Sequence, residues 1–302
     1  MEVRRIDSSE LAALVAVHQT VHPDDPAGTA DFEDWRRQAD DMLWLLAEDE
    51  TGVIGAGIGV HGWHSPPGRV LIEIAVTPGA RSRGAGSAIL SELSDWAREH
   101  GATEIVGEVA ENDLASIAWT ERRDFVEIGR SKRVVLELSD VDPPAIEPPD
   151  GIEIAQWSER PGIEAGLYAV YCEAEPDIPG EEANEIATLD EWLSVDMHGA
   201  SDRADAVFVA FAGDQVVGYA KLSILGNGDT TVAFHDLTGV LRAWRGRGVA
   251  GALKRAQIAW AKENGFARLA TANEERNLPI RALNARYGYA PVPGRIMLRA
   301  GL

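Results

Sequence analysis

The chain has 302 residues, 45% of them hydrophobic and 25% charged, values typical of globular protein, and this length suits two domains of ordinary size. Its 49 acidic and 28 basic residues give a net charge of −21, which argues against a nucleic-acid partner and favours a cationic or amine-bearing small molecule. The single cysteine, Cys172, excludes an intramolecular disulfide, and we expect a cytoplasmic protein with no signal peptide and no membrane span.

The first half of the chain alternates predicted strands and helices. A short strand and two helices precede a hairpin, which Thr51-Gly52 indicates, and a β-branched strand then enters a glycine-rich turn. A long amphipathic helix follows the turn and ends at Gly101, and a strand and a further helix complete the series. In chain order these segments are Val3–Ile6, Ser9–His18, Asp31–Gln38, Trp44–Val60, Val70–Val76, Arg81–Gly86, Ser87–His100, Thr103–Val109 and Leu114–Arg123.

The second half repeats the same order after a linker. Residues 139–151 contain two proline pairs, which predict an extended segment. We therefore predict an N-terminal domain at 1–140, a linker at 141–150 and a C-terminal domain at 151–302. The segments of the second half are Ile152–Ala155, Ile163–Glu173, Leu189–Met197, Ala206–Leu222, Thr231–Val240, Arg245–Ala250, Gly251–Asn264, Ala267–Thr271 and Pro279–Arg286.

The two halves are copies related by an offset of 164 residues, which carries Arg81 to Arg245. The same offset relates Gly101 to Gly265, and no gap is needed from about residue 70 to residue 125. A fixed offset over this length indicates an internal repeat. Since strands and helices alternate in each copy, each half is predicted to be an α/β unit.

The glycine-rich turn, RSRGAG in one copy and RGRGVA in the other, has the composition of an anion site. A helix N-terminus leaves N–H groups unpaired, glycine lets a phosphate approach the backbone, and arginine adds charge. Neither copy has the spacing of a Walker loop or of a dinucleotide-binding fingerprint. A structural corner between strand and helix would also favour glycine, but recurrence at one offset favours a pyrophosphate site.

Both turns resemble the signature of the GNAT acetyltransferase superfamily, Arg/Gln-x-x-Gly-x-Gly/Ala. The second copy also has the family's asparagine, Asn277. The dipeptide Gly288-Tyr289, after its last helix, corresponds to the family's Gly-Phe. The plan is similar to tandem two-domain bacterial GNAT proteins of the mycothiol synthase type, in which the C-terminal domain performs the chemistry. The resemblance implies two tandem α/β (α+β) folds, each a splayed mixed β-sheet flanked by helices, with acetyl-CoA (CoA) as the cofactor.

The resemblance also implies where the cofactor lies. Its pantetheine arm would pair with the strand that enters each turn, and its pyrophosphate would lie in the turn. The implied cofactor-binding residues are Leu237, Thr238, Gly239, Val240, Arg245, Gly246, Arg247, Gly248, Val249, Ala250 and Asn277 in the second copy, and Ile74, Ala75, Val76, Arg81, Ser82, Arg83, Gly84, Ala85 and Gly86 in the first.

The copies differ at two positions of this pattern. The first copy has Asp113 and Asp124 where the second has Asn277 and Gly288. An aspartate is unfavourable beside an anionic cofactor and lacks the backbone freedom of glycine. We therefore expect the C-terminal copy to be catalytic and the N-terminal copy to be degenerate.

The catalytic groups are less well marked. The family's usual acid, a tyrosine, is replaced by Asn284 or Thr120, and Tyr287 points elsewhere on its helix. The candidate bases are His235 and Asp236 in the second copy and Glu73 in the first. His235 and Asp236 are neighbours on one strand, so alternation lets only one of them face the cleft. His235 as a solvated strand-end residue, and a base acting through water, remain open alternatives.

The acceptor is expected to meet the acidic segment before the second hairpin, whose carboxylates either attract an ammonium group or are only solvated. These carboxylates belong to Glu173, Glu175, Asp177 and Glu181. In the first copy, His18 and His22 are four residues apart, but no further ligand follows at metal spacing, so no metal site is expected.

Together these features predict an acetyl-CoA-dependent N-acetyltransferase that acts on a small-molecule amine by direct acyl transfer. We expect a monomer or homodimer with no nucleic-acid or membrane partner. Two alternatives remain: a CoA-binding or sensing module without catalysis, and an N-acetyltransferase that acts on protein termini or side chains.

Overall fold

A computed structural model describes residues 1–23, 25–62, 66–139, 141–179, 186–226 and 231–302. The helices are α1 (Leu11–Val21), α2 (Thr29–Gln38), α3 (Ala85–Glu99), α4 (Leu114–Glu121), α5 (Glu164–Ala174), α6 (Leu189–Trp192), α7 (Val249–Glu263) and α8 (Leu278–Arg286). The strands are β1 (Glu2–Arg5), β2 (Asp41–Asp49), β3 (Gly52–His61), β4 (Arg69–Val76), β5 (Glu104–Ala110), β6 (Val126–Glu137), β7 (Ile152–Gln156), β8 (Val207–Ala212), β9 (Gln215–Leu225), β10 (Val232–Val240), β11 (Arg268–Glu274) and β12 (Ala290–Gly301). None of the described helices is long and apolar enough to cross a membrane.

The chain forms two compact units. The first unit contains Met1–Gly129 together with Arg295–Leu302, and the second contains Arg130–Gly294. The strand order is β1-β2-β3-β4-β5-β12 in the first unit and β6-β11-β10-β9-β8-β7 in the second. Residues 141–149, which contain the two proline pairs, form no helix or strand.

The closing strand of each unit comes from the other copy of the repeat. Residues 295–301 of β12 pair antiparallel with β5, and residues 131–137 of β6 pair antiparallel with β11. The unit limits therefore differ from the predicted limits of 1–140 and 151–302. The offset of 164 residues carries β6 onto β12 along its whole length, so the two strands have equivalent places in the repeat and one can replace the other.

Each sheet is mixed and splayed, as predicted. The strands β4 and β5 are parallel and pair only at Arg69–Leu71, and β10 and β11 pair only at Ala233 and Phe234. Beyond these pairs the two parallel strands separate, while β4 and β10 stay bonded to β3 and β9 on their other edges. Each unit thus has a gap in its sheet, in front of the glycine-rich turn.

Apolar side chains cover both faces of each sheet. In the first unit, α3 packs on one face and α1 and α2 on the other, and in the second unit α7 and α5 take the corresponding places. The helix α3 lies very close to β3 at Gly57, where a Cβ atom would clash with Ile89 Cγ2. Glycine at this position removes the clash and lets the helix cover the strand.

The exchanged strand leads to a testable prediction. Ile296 on β12 is 4% exposed and belongs to the core of the first unit, so Ile296→Ala should lower the free energy of unfolding of that unit by about 2–5 kcal/mol. Hydrogen–deuterium exchange read by mass spectrometry should show the largest loss of protection in β5 and α3.

Met297, the next residue, is the matched control because it is 38% exposed, and Met297→Ala should leave protection nearly unchanged. Loss of protection confined to the second unit in Ile296→Ala would contradict the assignment of this strand.

Candidate functional site

The glycine-rich turn of the second unit is built as the start of a helix. Gly246 and Gly248 have φ values of 72° and 91°, and α7 begins at the next residue, Val249. Left-handed angles of this kind favour glycine and turn the chain so that the first N–H groups of α7 face outward. The N-cap residue, Gly248, has no side chain to cap this helix end, so those N–H groups can receive an anion.

The two arginines of this turn have different partners. Arg245 donates from Nε to the Val240 carbonyl at 2.8 Å and forms an ion pair with Asp177 at 2.5 Å. Arg247 is exposed, and its guanidinium lies over the Trp244 ring at 4.9 Å. Arg245 therefore stabilises the turn, whereas the charge of Arg247 is exposed beside it.

The acidic segment before the hairpin is partly tied to this turn. Asp177 pairs with Arg242 as well as Arg245, and hydrogen bonds from both arginines hold the pKa of its carboxyl at about 2. Glu173 accepts a hydrogen bond from the backbone N–H of Arg242. Two of the carboxylates considered for an ammonium group thus serve the turn, and Glu181 lies outside the described residues.

A cavity of about 820 Å³ opens between the separated strands and the turn. It is lined by His235 and Asp236 and by all the cofactor residues predicted for the second copy, namely Leu237, Thr238, Gly239, Val240, Arg245, Gly246, Arg247, Gly248, Val249, Ala250 and Asn277. The structure therefore brings these residues together around one space. Its size is within the range of small-molecule sites.

His235 is directed into the protein rather than into solvent. Its Nδ1 lies 3.0 Å from Gln257 Oε1 on α7, and its Nε2 is hydrogen-bonded to the Tyr289 hydroxyl. Burial, together with the charge of Lys254, holds the pKa of His235 well below its usual value. The imidazole is neutral with both nitrogens engaged, so it is poorly suited to accept a proton from a substrate.

Asp236 lies on the other side of the strand, as alternation predicts. Its Oδ2 is 2.7 Å from Lys221 Nζ, and its side chain is almost half exposed. Pairing with β9 is interrupted between His235 and Thr238, so Asp236 and Leu237 form a bulge. A bulge removes residues from the ladder and redirects their groups, which places Asp236 and nearby backbone groups at the cavity.

The strand register shows which residue of the first unit corresponds to Asp236. Gly55 and Gly218 are equivalent, and counting along each ladder from them brings Ile72 into the place of His235 and Glu73 into the place of the two-residue bulge formed by Asp236 and Leu237. The bulge accounts for the change of offset by one residue, because the first unit has no such interruption between β3 and β4.

Lys254 was missed by the sequence analysis. It is 1% exposed, lies over the Tyr289 ring at 5.4 Å and lines the cavity, and burial lowers the pKa of its amine to about 7. The repeat contained the signal, because the offset of 164 residues aligns Lys254 with Leu90 on the apolar face of α3. A lysine at a core position of one copy only is unusual unless it serves the site.

Other polar groups around the gap belong to the second copy alone. Asn284, which replaces the family's tyrosine, is buried and donates from Nδ2 to Asn273 Oδ1 at 2.8 Å. Within the described residues, the buried atoms Asn284 Oδ1 and Gln257 Nε2 have no hydrogen-bond partner. Tyr287 has its hydroxyl bonded to Arg255 and to the Gly251 carbonyl, so it too is engaged in the structure.

The turn of the first unit has the same backbone but a different setting. Gly84 has a φ of 94°, and α3 begins at Ala85. Arg81 bonds the Val76 carbonyl, as Arg245 bonds Val240, and also pairs with Asp113 at 3.0 Å. Burial raises the pKa of Asp113, but hydrogen bonds from Ser116 and the charge of Arg81 outweigh it and keep the pKa below its usual value.

In the structure, neither Asp113 nor Asp124 is unfavourable in the way that the sequence suggested. Asp113 is neutralised by Arg81 and caps α4 at Ser116, so it is not an uncompensated charge. Asp124 adopts a φ of 59°, close to the 82° of Gly288, so aspartate accepts the left-handed angle here. A separate difference is Trp119, whose ring lies 3.5 Å from where a Cβ of Gly86 would be and stacks with Arg123 beside the turn. The offset aligns Trp119 with Leu283, which lines the cavity of the second unit.

Glu73 meets both histidines that the sequence analysis left without a third ligand. Its Oε1 lies 2.8 Å from His18 Nδ1 and 3.6 Å from His22 Nε2. Burial lowers the pKa of both histidines. In His18 this effect is outweighed by Asp25 and Glu73, which raise the pKa to about 9. In His22 burial prevails, and the pKa is about 4. Glu73 is thus part of a cluster and not a free carboxylate.

The chain was compared with known proteins. A model of the "Acetyltransferase (GNAT) family" matches residues 9–125 and again 165–289. No curated protein sequence matches. A GCN5-related N-acetyltransferase from Sphaerobacter thermophilus superposes with a TM-score of 0.75 at 20% identity, covering 99% of this chain and 95% of that one. A tandem GNAT protein from the clavulanic acid biosynthesis pathway, solved without AcCoA, gives 0.77 at 20% identity over 99% and 98% of the two chains.

These structural similarities show the fold, and the family model covers each copy from its first α-helix to its last α-helix. The turn, the separated strands and the order of the elements occur in both copies. The chain therefore belongs to the GNAT acetyltransferase family and carries two GNAT regions in tandem.

Proposed function

We propose that this protein is an acetyl-CoA-dependent N-acetyltransferase for a small amine, and that the second unit performs the reaction. The observation that supports this most directly is the single cavity in which the Gly248 turn, the gap beside β10 and the buried Lys254 come together. In the first unit Trp119 fills the space beside the turn, which supports a degenerate role for that copy.

Acetyl-CoA fits the donors around this cavity. Its pyrophosphate would be held by the N–H groups at the start of α7 and by Arg247. Residues 237–240 of β10 lie beyond the pairs with β11, so the backbone groups on that edge, apart from the Val240 carbonyl that Arg245 holds, can receive an extended amide-bearing arm. The molecule supplies an acetyl group as a thioester, and the remaining chemistry is proton transfer by the protein.

Two side chains have suitable positions for these proton transfers. Asp236 is the base and accepts a proton from the acceptor amine, directly or through water, because it borders the cavity and is partly exposed. Lys254 is the acid and donates a proton to the departing thiolate. The amine nitrogen would form its bond to the acetyl carbon as the carbon–sulfur bond breaks. The amine proton would go to Asp236, the departing sulfur would take one from Lys254, and both residues would re-equilibrate with solvent.

The pKa of Lys254 suits this role. An ordinary thiol has a pKa of about 8.5, above the value of about 7 for the buried Lys254, so transfer from the ammonium to a thiolate is downhill. His235 and Gln257 then serve as supports, because they connect β10 to α7 beneath the lysine. This assignment supplies an acid where the family's tyrosine is replaced by Asn284.

The function is tested by thiol release from acetyl-CoA in the presence of a panel of small amines, amino sugars and peptides. Turnover with small amines or amino sugars is the expected result. Turnover only with peptides would instead favour a protein N-acetyltransferase. Tight CoA binding without turnover on any acceptor would favour a sensing module, which the tyrosine's replacement by Asn284 otherwise suggests.

Charge reversal in the turn gives a prediction about binding. Arg247→Glu should weaken CoA binding about ten- to a hundredfold, because a hydrogen bond to a charged phosphate contributes about 1.5–3 kcal/mol. Isothermal titration calorimetry of the full-length chain measures this. Arg83→Glu, the same change in the first unit, is the matched control and should leave the affinity of the second unit's site unchanged; equal effects of both substitutions would contradict the placement.

Lys254→Leu, which introduces the residue of the first copy, tests the acid. We expect kcat to fall about 10²–10⁴-fold while the KM for acetyl-CoA changes little, because proton donation acts in the transition state. The wild-type kcat should decline as pH rises through about 7, since Lys254 then loses its proton, and this decline should be absent from the variant. Lys262→Leu, on α7 but outside the cavity lining, controls for loss of a lysine from this helix.

A further inference from the structure

The strongest feature that the proposed reaction leaves unused is the cluster of His18, His22 and Glu73 in the first unit. The two histidines lie at the C-terminal end of α1, and Glu73 lies on β4, just beyond the last pair with β5. One donor atom from each residue lies within 4.8 Å of the other two. The imidazole rings are 5.1 Å apart, and His18 is 2% exposed.

We propose that these three residues bind a divalent first-row metal ion, with zinc as the best match. Two imidazoles and one carboxylate are a donor set that zinc uses where one position stays open. Ligand bonds of about 2.0–2.1 Å at tetrahedral angles place neighbouring donors about 3.3 Å apart. The distances of 2.8 Å and 3.6 Å from Glu73 Oε1 to the histidine nitrogens lie on either side of this value.

The surroundings of His18 provide a second, independent observation. Its other ring nitrogen, Nε2, is buried and makes no hydrogen bond within the described residues, and it lies 3.8 Å from Asp25 Oδ2. A metal-bound histidine commonly directs its second N–H at a carboxylate, which fixes the tautomer and strengthens the bond. A pKa of about 9 makes His18 an imidazolium without metal, so the ion must displace the proton on Nδ1; the remaining proton is on Nε2 and faces Asp25.

The charges around the cluster include one that opposes a cation. Glu73 and Asp25 are negative, whereas Arg295 places NH2 3.5 Å from His22 Nδ1. A guanidinium can only donate, so this contact places the ring proton of His22 on Nε2, the atom needed by the metal. Metal binding therefore requires the proton to move to Nδ1 and the Arg295 contact to break. Arg295 and the ion compete for one histidine.

The site assigns a role to the first unit that differs from acyl transfer. As a ligand, Glu73 has its carboxylate engaged and is unavailable as a base, although it occupies the place of the Asp236–Leu237 bulge in the second unit. The two copies thus use equivalent strand positions for different chemistry. This inference does not depend on the N-acetyltransferase proposal, because metal binding is measured without acetyl-CoA.

The test uses the full-length protein, stripped with a chelator, dialysed, and titrated with ZnCl₂ by calorimetry and by competition with a chromogenic chelator. One equivalent of zinc should bind, and Co²⁺ in its place should give the visible absorption of a four-coordinate site. Two single variants remove a ligand: Glu73→Gln, which keeps the shape of the side chain, and His22→Ala. Each should weaken zinc binding at least about a hundredfold. His61→Ala, in the other histidine pair of this unit, is the control and should bind as the wild type does.

Arg295→Met separates a metal site from a cluster of purely structural ion pairs. Removing one positive charge near the ion should tighten zinc binding about tenfold, and a gain in affinity cannot arise from misfolding. Absence of stoichiometric zinc binding by the wild type would overturn the proposal. Binding that survives in both Glu73→Gln and His22→Ala, or that Arg295→Met does not strengthen, would also overturn it.

Discussion

The separation of two parallel strands governs the rest of each unit. After two or three residue pairs, β10 leaves β11 and β4 leaves β5, although the antiparallel neighbours remain bonded. Backbone groups inside a protein need hydrogen-bond partners, so a gap in a sheet is stable only where water, side chains or a ligand supply them. The helix that follows the turn begins at the mouth of this gap. The N-terminus of a helix and an open strand edge are therefore placed together by one feature of the sheet.

What fills the space around the gap distinguishes the two copies. In the second unit, a lysine, a histidine and a glutamine are buried between β10 and α7, and the cavity reaches the turn. In the first unit the side chains facing α3 are apolar, and Trp119 lies against the turn. Burying polar groups has a cost unless they are bonded or used, so their concentration in one copy indicates where chemistry is expected.

The exchange of closing strands follows from the repeat. The strands β6 and β12 are related by the same offset as the turns, so they have equivalent places in the two copies. The observed arrangement makes the first unit depend on residues 295–302 and brings Arg295 to the histidine cluster. A residue near the end of the sequence thus influences a site whose other members lie before residue 75.

The sequence alone determined the duplicated turn and the order of strands and helices, because these depend on local backbone requirements and on periodicity. The family and the splayed mixed sheet followed from the resemblance of the two turns to the GNAT signature. The sequence also identified His235 and Asp236 as neighbours on opposite faces. The tertiary structure decided what no local pattern carries: the bulge that shifts the register by one residue, the burial of Lys254, and the meeting of Glu73 with His18 and His22. It also decided which strand closes which sheet, since equivalent strands have equivalent patterns and only packing selects between them.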